Sequence, residues 1–199
     1  MSELSRRDLL RVIGTTLVAV GTVDAASARQ VHRMTRKARA ASAGAYTART
    51  LTAHEYATLD RLTDLIIPVE NGKPGALAAG AAAWIDMLAS ENAELAAIYT
   101  GGLGWLDREM TRRGGTDFLS ASPAEQTAML DLIAFRKNES PELGPGIRFF
   151  DWARRMTVDA FYTSEPGIAD IDYRGNGAQL TFEVPAASLD HALRKSGLL

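Results

Sequence analysis

Apolar residues recur every three or four positions from residue 51 onward, which predicts a series of amphipathic helices. The apolar stripe of the first helix consists of Tyr56, Leu59, Leu62 and Ile66. This helix is expected to begin at Thr52, because Thr52 and Glu55 form the T-x-x-E pattern of a capping box. It is expected to end before Pro68, which cannot continue a helix.

Four more helices are predicted over residues 76–88, 93–113, 123–133 and 147–162. Gly101, Gly102 and Gly104 lie within the third predicted helix, where each glycine costs about 1 kcal/mol. Either the helix breaks there, or another backbone comes very close. The aromatic residues of 147–162 place that helix at the centre of the expected core. We therefore expect an all-α fold, a compact bundle of about five helices.

The chain on either side of these helices has a different pattern. Residues 25–54 contain no acidic side chain, and their basic side chains are Arg29, Arg33, Arg36, Lys37, Arg39 and Arg49. We predict a basic arm at 29–50, which is either a solvated spacer or lies on an acidic partner surface or on anionic lipid head groups. After residue 162, glycine and proline predict a loop-rich C-terminal tail with a short alternating piece, LTFEV, and a last helical turn or two at 189–195.

The first 28 residues have the layout of an export signal. A polar start is followed by Arg6 and Arg7, then by Leu9 and Leu10, and then by an uncharged run over 12–23. This run is about a dozen residues long, shorter than the roughly 20 needed to cross a bilayer as a helix. Paired arginines are typical of signals read by the twin-arginine (Tat) translocase. The alternative is the basic face of an ordinary amphipathic helix.

Small residues at the end of this segment predict that the signal is removed. Ala26 and Ala28 fit the A-x-A pattern of a cleavage site, so the mature chain is expected to begin near Arg29. The predicted division is a signal peptide at 1–28, the basic arm at 29–50, and a helical domain with its extended tail at 51–199. A Tat signal predicts a periplasmic protein.

The sequence offers little catalytic chemistry of its own. Its 24 acidic and 22 basic side chains give a net charge of −2, which indicates no nucleic-acid partner. The absence of cysteine excludes a disulfide, a thiolate metal site and attachment of haem c to this chain. The three histidines lack metal-ligand spacing, and neither G-x-S-x-G nor G-x-G-x-x-G is present. Asp170 and Asp172 lie in a predicted loop. Two roles are open for this pair, a cation site or a helix cap.

The order of several blocks resembles a known family. These blocks are the Tat-like leader, LTAHEYATLDRLTDLIIPVENGKPGALAAGAAAWIDMLA, SPAEQTAMLDLI, and an aromatic helix ending FYTSEPGI before DYRGN. Together they resemble the gluconate 2-dehydrogenase subunit 3 family over most of residues 51–177. The chain departs from the family pattern after DYRGN, where it ends in LTFEVPAASLDHALRKSGLL.

The resemblance implies a non-catalytic subunit. In that family the small subunit accompanies a large FAD-dependent sugar or polyol dehydrogenase of the glucose-methanol-choline type, and a cytochrome c often completes the complex. It therefore implies no cofactor in this chain, FAD in the catalytic partner and haem c in a third subunit. The expected role is to assist maturation and Tat export of the flavoprotein and to remain bound to it. If the complex is membrane-associated, this binding would also hold the chain at the membrane.

The predicted partner interface uses the tail, with Tyr173, Arg174 and Phe182 as anchors, because aromatic and arginine side chains dominate interface energetics. Two other interpretations remain open at this point. The chain could be a free-standing helical binding protein of the periplasm, or an enzyme with a site that these motifs do not include.

Overall fold

The computed structural model describes residues 10, 12–16, 23–42, 44–173 and 184–197. Regular secondary structure in these residues is helical, and an isolated bridge between Glu70 and Lys73 forms no strand, which confirms the all-α prediction. The α-helices that have both ends in these ranges are α1 (Ala25–Ala41), α2 (Ala53–Ile66), α3 (Ala76–Ala79), α4 (Ala81–Ala89), α5 (Ala93–Gly114), α6 (Pro123–Ile133), α7 (Gly144–Tyr162), α8 (Glu165–Asp170) and α9 (Ala186–Lys195).

Capping side chains fix the starts of α2 and α6. Glu55 accepts a hydrogen bond from the Thr52 amide at 2.8 Å, and the Glu55 amide donates to the Thr52 hydroxyl in return. Ser122 and Glu125 form the same reciprocal pair before α6. Both helix starts were predicted from the S/T-x-x-E pattern and are confirmed, because the pattern supplies partners for amides that have none within the helix.

The core is built around α4 and α7. Every residue of α4 is buried, and the helix packs against α1, α2, α5 and α7. Helix α7 contacts each of the helices α2 to α6 as well as α8, and its buried side chains include Phe149, Phe150, Met156 and Phe161. The prediction that the aromatic helix lies at the centre of the core is confirmed.

A glycine divides the alanine-rich segment predicted as one helix over 76–88. Gly80 has a φ of 67°, in the left-handed region, and its amide donates to the carbonyls of Ala76 and Leu77. It ends α3 and precedes α4, so the prediction of one continuous helix is wrong. The physical reason is that glycine adopts the left-handed conformation without steric penalty and is the usual residue at a helix C-terminus.

The basic arm is largely a packed helix. Ala28, Val31 and Thr35 on α1 are buried, one or two helical turns apart, and α1 packs on α4. The interpretation of this stretch as a solvated spacer is therefore wrong for residues 25–41. The buried face is narrow and is made of small side chains, so the basic residues between them conceal it in the sequence.

The tail is also more helical than expected. Ser164 caps α8 by accepting a hydrogen bond from the Gly167 amide at 3.2 Å, so the loop prediction is wrong for Glu165–Asp170. The predicted last helical turns at 189–195 are present in α9, which begins at Ala186. Most of the LTFEV piece lies outside the described residues.

Helices α5 and α7 pack closely because an aromatic ring of each helix contacts a glycine of the other. A Cβ atom added at Gly102 of α5 would lie 2.0 Å from Phe149 Cδ2 of α7. A Cβ added at Gly146 of α7 would lie 2.1 Å from the Trp105 ring of α5. Helix α5 runs through its glycines without a break, so the predicted alternative of a helix break is wrong. A neighbour does approach Gly102 closely, but it is the Phe149 ring and not the backbone that was expected.

We expect Gly102→Ala to destabilise the protein by about 1–3 kcal/mol, because the methyl group overpacks the Phe149 contact. Gly101→Ala is the matched control, since a Cβ there meets no atom within 4 Å. The control should be neutral or gain up to about 1 kcal/mol of helix propensity. Urea unfolding of both variants measures the difference, and equal stabilities would show that the ring contact does not constrain Gly102.

Candidate functional site

Two residues of the predicted leader lie in the buried core. Leu10 is 1% exposed and Ile13 is 5% exposed. Leu10 also lines a groove of about 700 Å³ together with Met34 and Ala38 of α1 and Met87 of α4. Arg6, Arg7 and Leu9 lie outside the described residues, so their predicted role in export stays a prediction.

The predicted cleavage motif forms the first turn of α1. Asp24 is the N-cap, and its Oδ1 accepts hydrogen bonds from the amides of Ala26 and Ser27, each at 3.0 Å. A hydrogen bond from the Ser27 side chain, together with those from the two amides, lowers the pKa of Asp24. Ala28 is fully buried, and its carbonyl oxygen accepts a hydrogen bond from Trp84 Nε1 at 3.3 Å. The motif is therefore folded and attached to α4.

Asp86 anchors the loop that connects α1 to α2. It is the one charged residue in α4 and is fully buried. Its Oδ1 accepts from the amides of Thr50 and Leu51 at 3.1 and 3.0 Å, and its Oδ2 accepts from the Arg49 amide at 2.8 Å and the Tyr46 hydroxyl at 2.9 Å. Burial and the adjacent Asp86 carboxylate raise the pKa of Tyr46, which keeps this hydroxyl protonated as a donor.

The exposed side of α1 is strongly basic. Arg29, Arg33, Arg36 and Arg39 line a groove of about 450 Å³ between α1 and the start of α8. Arg36 forms an ion pair with Glu165, which is largely exposed. The groove thus presents positive charge at the surface, as expected for contact with an acidic partner or an anionic head group.

His32 lies in the same groove and is uncharged at neutral pH. Burial lowers its pKa to about 4, and its Nε2 lies 3.1 Å from the Thr163 hydroxyl. Its ring is also 5.9 Å from the Trp84 ring, centroid to centroid. His32 therefore joins α1 to the end of α7 and adds no charge to the groove.

Tyr173 is the predicted interface anchor that the structure describes. Its side chain is 51% exposed, and Ile171, two residues earlier, is 54% exposed. Arg174 and Phe182 lie outside the described residues. Helix α9 has no buried residue, although Ala186, Leu189 and Leu193 share one face at helical spacing. Ala186 and Leu189 are exposed, so their apolar side chains are available to a partner, whereas Leu193 is half-buried.

Tertiary contacts assemble one cluster that the sequence did not reveal. His54 Nε2 lies 2.7 Å from Asp107 Oδ2, and Asp117 approaches them closely enough that the three residues could hold a metal ion. The hydrogen bond to Asp107 raises the pKa of His54. Both carboxylates already accept backbone amides, from Phe118 and Ser120 respectively. These backbone hydrogen bonds fix the orientation of both carboxylates.

Of the predicted pair of Asp170 and Asp172, Asp170 forms an ion pair with a lysine. Lys73 Nζ lies 3.1 Å from Asp170 Oδ1, and it also donates to the Asp170 carbonyl at 3.2 Å. Asp172 has a φ of 49°, in the left-handed region, at the turn that follows α8. The Asp170 side chain therefore ties the 67–75 loop to α8.

No helix within the described ranges combines the length and the apolar character needed to span a membrane.

The architecture is that of a small helical chain whose exposed basic and apolar surfaces suit binding to other proteins. The sequence matches the family model described as gluconate 2-dehydrogenase subunit 3 over residues 53–177, which is more than half of the chain. The chain belongs to this family. Separate comparisons with curated proteins and with solved structures gave no significant match.

Proposed function

We propose that this chain is the non-catalytic small subunit of a periplasmic FAD-dependent sugar or polyol dehydrogenase complex. In this role it assists maturation of the flavoprotein, carries the Tat address for it and remains bound to it. The observation that carries the proposal is the family match over residues 53–177, in a chain whose first residues include the pair Arg6 and Arg7. The family is named as a subunit of a dehydrogenase. A partner bound to this chain could be exported through the chain's predicted Tat signal.

The chemistry of the chain supports a division of labour between subunits. The chain has no cysteine and therefore cannot attach haem c. Its sequence also contains no G-x-G-x-x-G motif for binding a dinucleotide such as FAD. Flavin and haem are therefore assigned to partners, a glucose-methanol-choline-type flavoprotein and a cytochrome c. The purified chain alone should show no flavin absorbance.

The exposed surfaces described above support a stable interface. Tyr173 and Ile171 supply exposed apolar area. The Tyr173 amide donates to the carbonyl of Ile168 at 3.2 Å, and Ile168 lines the basic groove. Interfaces are enriched in aromatic and arginine side chains at their energetic centres. We assign this side of the molecule, with Arg174 and Phe182 of the tail, to the flavoprotein contact.

The double variant Tyr173→Ala, Arg174→Ala should weaken co-purification of the flavoprotein with the tagged chain. Loss of a hot-spot aromatic typically costs at least about 2 kcal/mol, more than a tenfold change in affinity. Phe135→Ala is the matched control, because Phe135 is an equally exposed aromatic residue next to the short 3₁₀ turn Arg136–Asn138. Circular dichroism should be unchanged for both variants.

Equal recovery of the flavoprotein with the double variant would contradict the interface assignment. Recovery of the wild-type chain alone from the periplasm, stable and monodisperse, would instead favour a free-standing binding protein.

A further inference from the structure

We propose that the leader is retained in the exported protein, because folding closes the A-x-A motif at 26–28 to signal peptidase. This inference rests on the proposed Tat route, which transports proteins that have already folded. The peptidase would therefore meet α1 in its folded form. Retention is the alternative to the cleavage near Arg29 that the sequence pattern predicts.

The first observation is the conformation of the motif. Proteolysis concentrates in exposed loops, where the backbone can become extended in a protease cleft. Ala26, Ser27 and Ala28 instead form a capped helical turn, in which the Ala28 amide donates to the Asp24 carbonyl at 2.9 Å. Cleavage after Ala28 requires this turn to unwind.

The second observation is burial at the scissile bond and on its C-terminal side. The Ala28 carbonyl accepts the Trp84 indole N–H, and Val31 is fully buried one turn later. Unwinding around the Ala28–Arg29 bond therefore separates α1 from α4 as well. Cleavage of a folded substrate follows the population of such open states, which is small when opening breaks core contacts.

The third observation is burial on the N-terminal side of the bond. Leu10 and Ile13 occupy positions in the core, and Gly14 lies so close to Asn92 that an added Cβ would be 2.9 Å from the Asn92 Cβ. Removal of residues 1–28 would expose the apolar surfaces of Met34 and Met87 that line the groove with Leu10. The described residues Leu10, Ile13 and Gly14 of the leader thus belong to the packed structure.

Mass spectrometry of the periplasmic protein after trypsin digestion tests this inference. An intact leader yields the peptide spanning residues 12–29, which follows Arg11 and ends at Arg29. We expect this peptide at the same abundance as peptides from the helical domain. A chain whose N-terminus is Arg29, without this peptide, would overturn the inference.

Incubation of the purified full-length chain with signal peptidase separates this inference from the export proposal. The wild-type chain should remain intact, whereas a synthetic peptide of residues 12–36 should be cleaved after Ala28. If the chain never reaches the periplasm, the export proposal fails. The assay with purified protein then still decides whether folding protects the Ala28–Arg29 bond from signal peptidase. Cleavage of the folded chain, or resistance of the free peptide, would overturn the explanation by burial.

Val31→Asp tests whether docking of α1 is the protecting feature, since it places a carboxylate at a buried position and leaves the motif unchanged. We expect cleavage after Ala28 to be at least tenfold faster in this variant, by mass action on the open state. Ala40→Asp adds the same charge at an exposed position of α1 and should remain intact. Equal resistance of both variants would overturn the inference.

Discussion

Asp86→Ala is expected to destabilise the protein by about 3–5 kcal/mol, because the substitution leaves several buried donors without their acceptor. The amides of Arg49, Thr50 and Leu51 and the hydroxyl of Tyr46 all donate to this carboxylate. Such a loss is a large share of the 5–15 kcal/mol that is typical for a whole domain. Urea unfolding monitored by circular dichroism measures it.

Two variants make the measurement specific to the buried carboxylate. Asp131→Ala removes an exposed carboxylate from α6 and should change stability by less than about 0.5 kcal/mol. Tyr46→Phe removes a single donor and should cost about 1 kcal/mol. If Asp86→Ala were no more destabilising than Asp131→Ala, Asp86 would not anchor the loop between α1 and α2.

Replacement of Arg6 and Arg7 by lysine is expected to leave both this chain and its flavoprotein partner in the cytoplasm. Lysine keeps the charge but lacks the planar guanidinium group, so the change removes the recognition chemistry and preserves the electrostatics. Immunoblots of periplasmic and cytoplasmic fractions measure the effect on each protein.

Arg11→Lys is the matched control, because it makes the same substitution four residues after the pair. Export of both proteins should be unaffected by it. If the flavoprotein still reached the periplasm with both paired arginines changed, this chain would not be its carrier.

The elements that the sequence predicts well are those specified by local chemistry. The capping boxes at Thr52 and Ser122 define two helix starts, and both are present as predicted. Aromatic side chains with helical spacing likewise identify α7, which lies at the centre of the core. Such signals depend on residues a few positions apart, so no knowledge of the tertiary structure is needed to read them.

The elements that the sequence does not predict depend on contacts between distant residues. The position of α1 depends on Ala28 and Val31 fitting against α4, and basic residues conceal that narrow face. The break at Gly80 occurs within a run of alanines that by itself favours helix. His54 and Asp107 are 53 residues apart, so spacing rules for metal ligands cannot detect their contact.

The sequence likewise predicts one aspect of the candidate site and not another. The family could be recognised from the order of its blocks, and the match over residues 53–177 confirms it. The individual interface residues could not be identified from this sequence, because an interface also depends on the surface of a second protein. Tyr173 is exposed as an anchor requires, and its role in binding stays a prediction.

Deletion of this chain in cells that retain the flavoprotein tests the central claim most directly, with flavoprotein activity measured in the periplasmic fraction. We predict that periplasmic activity disappears, that the wild-type chain restores it, and that the Arg6→Lys, Arg7→Lys variant does not. A flavoprotein given its own Tat leader separates the two roles, since it should reach the periplasm without this chain and still need it for full flavin occupancy. Normal periplasmic activity of the unmodified flavoprotein in the deletion strain would contradict the account.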